Sequence, residues 1–132
     1  MDSNDPVIQL CIRGIRAEFE HRTDAACGLY LQAWDLAQDD YQACIAAHYV
    51  ARFQETPDDT LRWNQEALQR AERVGDDRVQ EFFPSLYLSL GHSYEMVGDP
   101  AEAKRYYDLA AQRGVLHQAE VWDVQRKAGG SG

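Results

Sequence analysis

Basic residues and long apolar runs are both scarce in this sequence. Lysine and arginine number 13 against 22 aspartates and glutamates, which gives a formal net charge of −9. A chain with so few cations offers no basic stripe to phosphates, so neither nucleic-acid binding nor docking on an anionic membrane surface is expected. No segment approaches the roughly 18 apolar residues of a membrane span, and no signal-peptide pattern opens the chain. We therefore expect a soluble, cytoplasmic protein.

Cysteines are few, and none has the spacing of a redox pair or a metal site. Cys11, Cys27 and Cys44 form no C-x-x-C pair and each falls on an apolar stripe, which predicts buried free thiols. The four histidines form no H-x-x-x-H pair and join no cysteine at ligand spacing. Phosphate-binding loops and nucleophile motifs are also missing. The sequence thus predicts a non-catalytic protein without a metal or cofactor.

The acidic surplus has a structural explanation. Many aspartates fall near predicted helix starts, where negative charge complements the helix dipole. These are Asp5, Asp39, Asp40, Asp58, Asp59, Asp76, Asp77 and Asp99. The alternative is an acidic face that attracts a basic partner.

Helix punctuation is clear along the whole chain. The segments 56–59 and 99–102 each offer an N-cap, a proline at the first helical position and an acid soon after. Gly75, Gly98 and Gly114 each follow a helical stretch, where a left-handed cap favours glycine. Apolar spacing between these marks predicts helices at about 6–21, 24–38, 40–54, 57–74, 77–97, 100–112 and 116–127.

Pro84 conflicts with a continuous fifth helix. A proline inside a helix removes a backbone hydrogen bond and clashes with the preceding turn. We therefore expect a kink or break, with residues 77–83 as a short lead-in turn.

An internal repeat decides the expected architecture. One unit contains Tyr87, Leu90, Gly91, Tyr94, Ala103, Tyr107 and Ala110. A shift of 77 residues towards the N-terminus gives Leu10, Gly14, Ala17, Ala26, Tyr30 and Ala33. The middle unit is weaker: His48 and Ala51 take the glycine and tyrosine positions, Thr60 and Asn64 replace the alanine and the aromatic, and Ala67 keeps the last small position. This spacing resembles the tetratricopeptide repeat family over about four-fifths of the chain.

The resemblance implies a single all-α domain over residues 1–128. It would be a right-handed α-solenoid of three tetratricopeptide-like helix pairs, at about 7–40, 41–74 and 84–117, with an insertion at 75–83. A capping helix at about 116–127 would cover the last pair, and residues 129–132 would be a flexible tail. In each pair a small residue on the first helix lets the second approach, and aromatics fill the gaps between pairs.

The resemblance also implies a concave groove formed by the first helix of each pair. Its predicted lining is Ile8, Cys11, Ile15 and Phe19, then Gln42, Ile45, Tyr49, Arg52 and Phe53, then Ser85, Leu88, His92, Glu95 and Met96. Such a largely apolar and aromatic surface suits a peptide or helix of a partner protein. The alternative for any one of these side chains is simple packing between helices.

One known mode of peptide binding in the family is not expected here. The positions that grip a C-terminal carboxylate carry Cys11, Ile15, Ala46, Ser85 and Ser89 rather than lysine, asparagine or arginine. The leading hypothesis is therefore a protein-interaction module without that clamp. A homodimer that pairs through the same surface and an accessory subunit of an enzyme are the alternatives.

Overall fold

The computed structural model describes residues 4–115, which form six α-helices and no strand. The helices are α1 (Pro6–Phe19), α2 (Thr23–Leu36), α3 (Asp40–Val50), α4 (Pro57–Arg73), α5 (Phe83–Met96) and α6 (Pro100–Ala110). Short 3₁₀ turns occupy Ala51–Phe53 and Asp77–Phe82, and a π-helical turn occupies Ala111–Val115. The predicted all-helical class is confirmed for this part of the chain. The predicted capping helix at 116–127 and tail at 129–132 lie outside the described residues.

The predicted helix starts at Pro57 and Pro100 are confirmed. Thr56 Oγ1 accepts a hydrogen bond from the Asp59 N–H at 3.1 Å, and Asp99 caps α6 in the same way. Each satisfies a backbone donor that the helix itself leaves free. Asp5 caps α1 and also accepts two hydrogen bonds from Gln42 Nε2, at 3.0 and 3.1 Å. The start of α1 is thereby tied to the start of α3.

Left-handed residues end two equivalent helices. Gly98 follows α5 with φ 85°, and His21 follows α1 with φ 60°. Both ends close with the same pair of backbone hydrogen bonds, so a histidine occupies a place that favours glycine. The cap predicted at Gly75 is wrong, because Val74 ends α4 in extended backbone and Gly75 has no positive φ. Gly114 was predicted to cap the end of a helix, but it lies within the π-helical turn that follows α6.

The helix boundaries recur at the spacing of the sequence repeat. The first helices of the three pairs begin at residues 6, 40 and 83, and the second helices begin at 23, 57 and 100. The first helices end at residues 19, 53 and 96 when the 3₁₀ turn after α3 is included. The break expected at Pro84 is confirmed, since the lead-in turn Asp77–Phe82 gives way to α5 at Phe83.

Two glycines allow close approach within the first and third pairs. A methyl carbon placed on Gly14 would lie 2.8 Å from Cδ1 and Cζ of Tyr30 and closer still to Cε1. A methyl carbon placed on Gly91 would lie 2.6 Å from Cε1 of Tyr107. The tyrosine rings of α2 and α6 therefore rest directly on the glycine backbone of α1 and α5. The predicted role of these small residues is confirmed.

Successive helices pack against one another along the chain, and α1 also contacts α3. The corresponding contact between α3 and α5 is not among the substantial helix contacts of the described chain. Trp34 of α2 and Trp63 of α4 meet edge to face with centroids 5.1 Å apart, and Arg70 lies 5.5 Å over the Trp34 ring. The first two pairs are thus closely joined, whereas the second and third are spread apart between α3 and α5.

Candidate ligand cleft between the second and third helix pairs

A cleft of about 760 Å³ opens where α3 and α5 diverge. Its volume falls within the roughly 300–1,000 Å³ of typical ligand sites. The end of α3 with its 3₁₀ turn, the start of α4 and one face of α5 form the walls. The lining consists of Glu18, His48, Ala51, Arg52, Phe53, Gln54, Glu55, Thr56, Pro57, Thr60, Asn64, Ser85, Leu88, Ser89, His92, Ser93 and Met96.

The residues present at each junction explain why the cleft lies here and not one pair earlier. At the first junction the ring of Tyr30 stacks on Tyr49 and Phe53, with centroids 5.1 and 6.0 Å apart. The repeat spacing places Asn64, His92 and Met96 at the corresponding positions of the second junction. An amide, an imidazole and an unbranched thioether replace three stacked rings, and all three line the cleft. The first junction is therefore filled by aromatic side chains and the second is open.

The insertion before α5 fills part of the space between α3 and α5. The Phe82 ring lies edge-on to the His48 ring, with centroids 4.9 Å apart at 74°, and Val79 is fully buried. His48 also meets Tyr49 edge-on at 5.4 Å. These contacts seat the end of the insertion against α3, and the cleft lies beside them.

Uncharged polar groups form the floor of the cleft. Asn64 Nδ2 donates a hydrogen bond to Ser93 Oγ at 2.8 Å, and both residues are buried. Gln65 Nε2 donates to the Tyr94 hydroxyl at 3.0 Å, which adds a second polar link between α4 and α5. Because Asn64 is shorter than a tyrosine, this side of the cleft is held by hydrogen bonds instead of by ring packing.

His48 is a half-buried imidazole at the edge of this floor. Burial, with a smaller contribution from the nearby Arg52 guanidinium, lowers the pKa of His48 to about 4. Its Nδ1 atom has no hydrogen-bond partner among the described residues. The His48 side chain is therefore neutral at physiological pH.

Charged groups are confined to the rim. Arg52 Nη2 lies 2.8 Å from Glu18 Oε2, and the Tyr30 hydroxyl donates a short hydrogen bond to the same carboxylate. Burial and the bond to Glu18 raise the pKa of Tyr30 well above its usual range, so the hydroxyl stays protonated. Glu55 adds a second carboxylate to the lining. The rim therefore carries an internally paired arginine and an additional acidic group.

The predicted groove residues are only partly gathered in this cleft. Six of the fourteen line it: Arg52, Phe53, Ser85, Leu88, His92 and Met96. Gln42 does not line the cleft, because its side chain bonds to Asp5 at the start of α1.

For three predicted groove residues the structure corrects the prediction. Ile8, Cys11 and Ile45 are at most 2% exposed and belong to the core, because the helices that flank them close over that side. Ile15 and Tyr49 are half-buried outside the cleft lining, and the Tyr49 ring is covered by a stacked ring of α2. Phe19 is 81% exposed and Glu95 is also exposed, but neither lines the cleft.

Sequence reasoning missed the polar floor. His48, Asn64 and Ser93 were not predicted as site residues, although all three line the cleft. The available signal was the interruption of the repeat: His48 stands where the other pairs have glycine, and Asn64 stands where they have tyrosine. A departure from the repeat pattern marked the site better than the pattern itself.

The rest of the described surface offers a second, smaller hollow of about 440 Å³. Trp34, Asp39, Asp40 and Arg70 are part of its lining. Arg70 forms ion pairs with Asp40 and Glu66, both at 3.2 Å, so its charge is already neutralised by neighbouring side chains. This hollow is explained as a junction between helices.

Among residues 4–115, no three or more histidine, cysteine or acidic side chains come together as metal ligands. No helix in this part of the chain has both the length and the apolar character needed to cross a bilayer. Comparison of the chain with models of protein families, with curated proteins and with solved structures gave no match.

Proposed function

We propose that this chain is a non-catalytic protein-interaction module of the tetratricopeptide type. Its three helix pairs would stack as a right-handed α-solenoid and act in the cytoplasm without a cofactor. The recurrence of helix boundaries at residues 6, 40 and 83 supports the repeat. The equivalent contacts of Gly14 with Tyr30 and of Gly91 with Tyr107 support it further.

The proposed ligand is an extended peptide segment of another protein, and the site is the cleft between the second and third pairs. The single observation that carries this proposal is the open second junction, since the first junction is filled by stacked aromatic rings. An extended segment presents backbone N–H and C=O groups that need partners. The hydroxyls of Ser85 and Ser89 lie along the cleft and would supply them. Thr60 Oγ1 donates its own proton to the Thr56 carbonyl at 3.2 Å and is available only as an acceptor.

This lining changes the kind of segment expected. The predicted groove was apolar and aromatic, which favoured the apolar face of an amphipathic helix as much as an extended peptide. The cleft instead mixes Phe53, Leu88 and Met96 with hydroxyl, amide and imidazole groups. A helix satisfies its own backbone and needs mainly an apolar groove, so the mixed lining favours the extended peptide.

Selection from a phage-displayed random peptide library tests the proposal. The wild-type protein should enrich a family of related peptides, and a Leu88→Glu variant should bind them at least tenfold more weakly, because it places a charge inside the cleft. Leu31→Glu is the matched control, since Leu31 lies on α2, is 41% exposed and does not line the cleft. Circular dichroism checks that both variants keep the helical content. Equal binding by the three proteins, or no enrichment, would refute the proposal.

Self-association is the second candidate, and one observation favours it. Phe19 is 81% exposed at the end of α1, and Ile12 on the same helix is 39% exposed. The two residues are seven positions apart and so lie on one face of α1, and an exposed apolar face is where a symmetric interface could form. Sedimentation equilibrium of the wild type and of Phe19→Glu distinguishes this candidate. A dimer that the substitution dissociates would support it, and a monomer at all concentrations would exclude it.

A further inference from the structure

Of the three side chains in which the two junctions differ, one comes from the second helix of the preceding pair: α2 supplies a ring and α4 does not. Tyr30 of α2 reaches the first helix of the following pair and stacks on Tyr49 and Phe53. Asn64 stands at the same place on α4, and its amide bonds to Ser93 instead. The second junction therefore lacks the aromatic ring that completes the first.

We propose that a partner peptide supplies this ring, by inserting one aromatic side chain into the cleft. The inference rests on the proposed peptide-binding function and specifies which chemistry the site selects. The apolar walls are formed by Phe53, Leu88 and Met96. A phenylalanine ring favours a second ring in offset or edge-on geometry, and a thioether makes favourable contacts with ring edges. His92 adds a further flat, polarisable surface.

The charges around the cleft indicate which residues should flank the aromatic residue of the peptide. The only arginine in the lining, Arg52, is already paired with Glu18, whereas Glu55 adds a further negative charge. The whole chain carries a formal net charge of −9. An approaching segment is therefore attracted if basic residues flank its aromatic residue and repelled if acidic residues do. The class of ligand is a basic peptide with an aromatic anchor.

The chain itself offers an internal way to fill the cleft. In the first pair a tyrosine on the second helix requires glycine on the first, because a methyl group on Gly14 would overlap Tyr30. His48 and Asn64 hold the corresponding positions of the middle pair. The combined substitution His48→Gly, Asn64→Tyr therefore recreates the glycine–tyrosine pair at the second junction. We expect its new ring to occupy the place of the peptide's aromatic side chain.

The experiment starts from the peptides enriched on the wild-type protein. We expect each to contain an aromatic residue, and its replacement by alanine should weaken binding at least tenfold, as for central aromatic anchors generally. Replacement by leucine should also weaken binding, whereas exchange among tyrosine, phenylalanine and tryptophan should change it less. Replacing flanking lysine or arginine by glutamate should weaken binding further.

Two protein variants test the location of the ring. The His48→Gly, Asn64→Tyr double variant should fold and should bind the peptides at least tenfold more weakly than the wild type. Met96→Ala, which changes an exposed side chain of the cleft, should weaken the binding of aromatic peptides roughly two- to tenfold. The same substitution should not change the binding of peptides in which the aromatic residue is replaced by alanine. Leu36→Ala, on an exposed side chain away from the cleft, is the matched control and should leave binding unchanged.

The outcomes separate this inference from the proposed function. Enriched peptides that bind equally well with leucine or alanine at every aromatic position would overturn the aromatic anchor and leave peptide binding in place. If aromatic peptides bind Met96→Ala and the folded double variant as tightly as the wild type, the proposed location of the aromatic ring is wrong. If the double variant does not fold, the Met96→Ala result decides alone. Failure to enrich any peptide would refute both proposals.

Discussion

Alanine at Gly14 is expected to destabilise the protein, whereas alanine at Gly28 is expected to stabilise it. Both glycines lie inside helices, so both substitutions remove the same flexible residue from the unfolded chain. They differ only in what the added methyl group meets. At Gly28 no atom lies within 4 Å, but at Gly14 the ring of Tyr30 occupies the place of the methyl group.

The size of the difference follows from the surroundings of the Tyr30 ring. Tyr30 is fully buried and stacked on Tyr49, so it cannot turn aside without disturbing α3. Overpacking of this kind costs about 1–3 kcal/mol, and alanine returns about 1 kcal/mol through its helix propensity. With a severe overlap we expect a net loss of about 2 kcal/mol at Gly14, against a gain of about 0.5–1 kcal/mol at Gly28.

Gly91 provides an intermediate case. Its methyl group would meet Tyr107, which is only half-buried and has room to move. We therefore expect Gly91→Ala to cost less than Gly14→Ala, at about 0–1 kcal/mol. From the most to the least stable, the predicted order is Gly28→Ala, wild type, Gly91→Ala and Gly14→Ala.

Urea unfolding followed by far-ultraviolet circular dichroism measures all four proteins. With a slope of about 1–3 kcal/mol per molar urea, the Gly14 variant should unfold at about 1 M less urea than the wild type. The reasoning would be refuted if Gly14→Ala and Gly28→Ala shifted the midpoint in the same direction by similar amounts. Such a result would mean that the ring of α2 does not rest on the backbone of α1.

Three further predictions concern single side chains. The unfolded chain binds a proton at His48 near pH 6.5 and the folded chain only near pH 4, so the free energy of unfolding should fall by about 3 kcal/mol as the pH is lowered from 6.5 to 4. His48→Gln should remove that part of the pH dependence. His21→Gly should raise stability by about 0.5–1 kcal/mol, because His21 has φ 60°. Of the three thiols, Cys27 should react first with Ellman's reagent, since Cys11 and Cys44 are buried and their pKa values are raised to about 12.

Each of these has a control and a contradicting result. His92→Gln replaces an exposed imidazole by the same side chain and serves as the matched comparison. An unchanged pH dependence of stability in His48→Gln would contradict the first prediction. Gly98→His places histidine at the equivalent left-handed position and should be destabilising. A loss of stability in His21→Gly would contradict the second. In Cys27→Ser the fast-reacting thiol should disappear, and its persistence would contradict the third.

Much of the local structure was predictable because it depends on neighbours in sequence. A proline after a capping side chain defines where α4 and α6 begin, and Thr56 and Asp99 cap them as expected. The break before α5 follows from the geometry of Pro84 alone. The close approach of α2 to α1 at Gly14 followed from the recurrence of a small residue there, whereas the contact of Tyr30 with Gly14 was not predicted, because the aromatic residues were expected to fill the gaps between pairs. The local predictions that failed concerned helix ends, because a glycine after a helix does not have to adopt the left-handed conformation, as at Gly75.

The site was harder to predict because side-chain exposure depends on how distant helices meet. Ile8, Cys11 and Ile45 share a helical face with true cleft residues, yet neighbouring helices cover them. Leu88 and Met96 lie on a similar face of α5 and line an open cleft, because α5 stands away from α3. Periodicity describes one helix at a time and contains no measure of that separation.

The sequence by itself determined the helical class, the helix starts after Thr56 and Asp99, the break at Pro84 and the close approach of paired helices at glycine, since these are set by local geometry and recurring spacing. Only the tertiary structure decided that the first junction is filled and the second is open. It also decided that His48 is half-buried and neutral, with its pKa lowered to about 4. The physical reason is that Phe82 of the insertion packs on His48, and that Asn64 is too short to fill the space that Tyr30 fills one pair earlier.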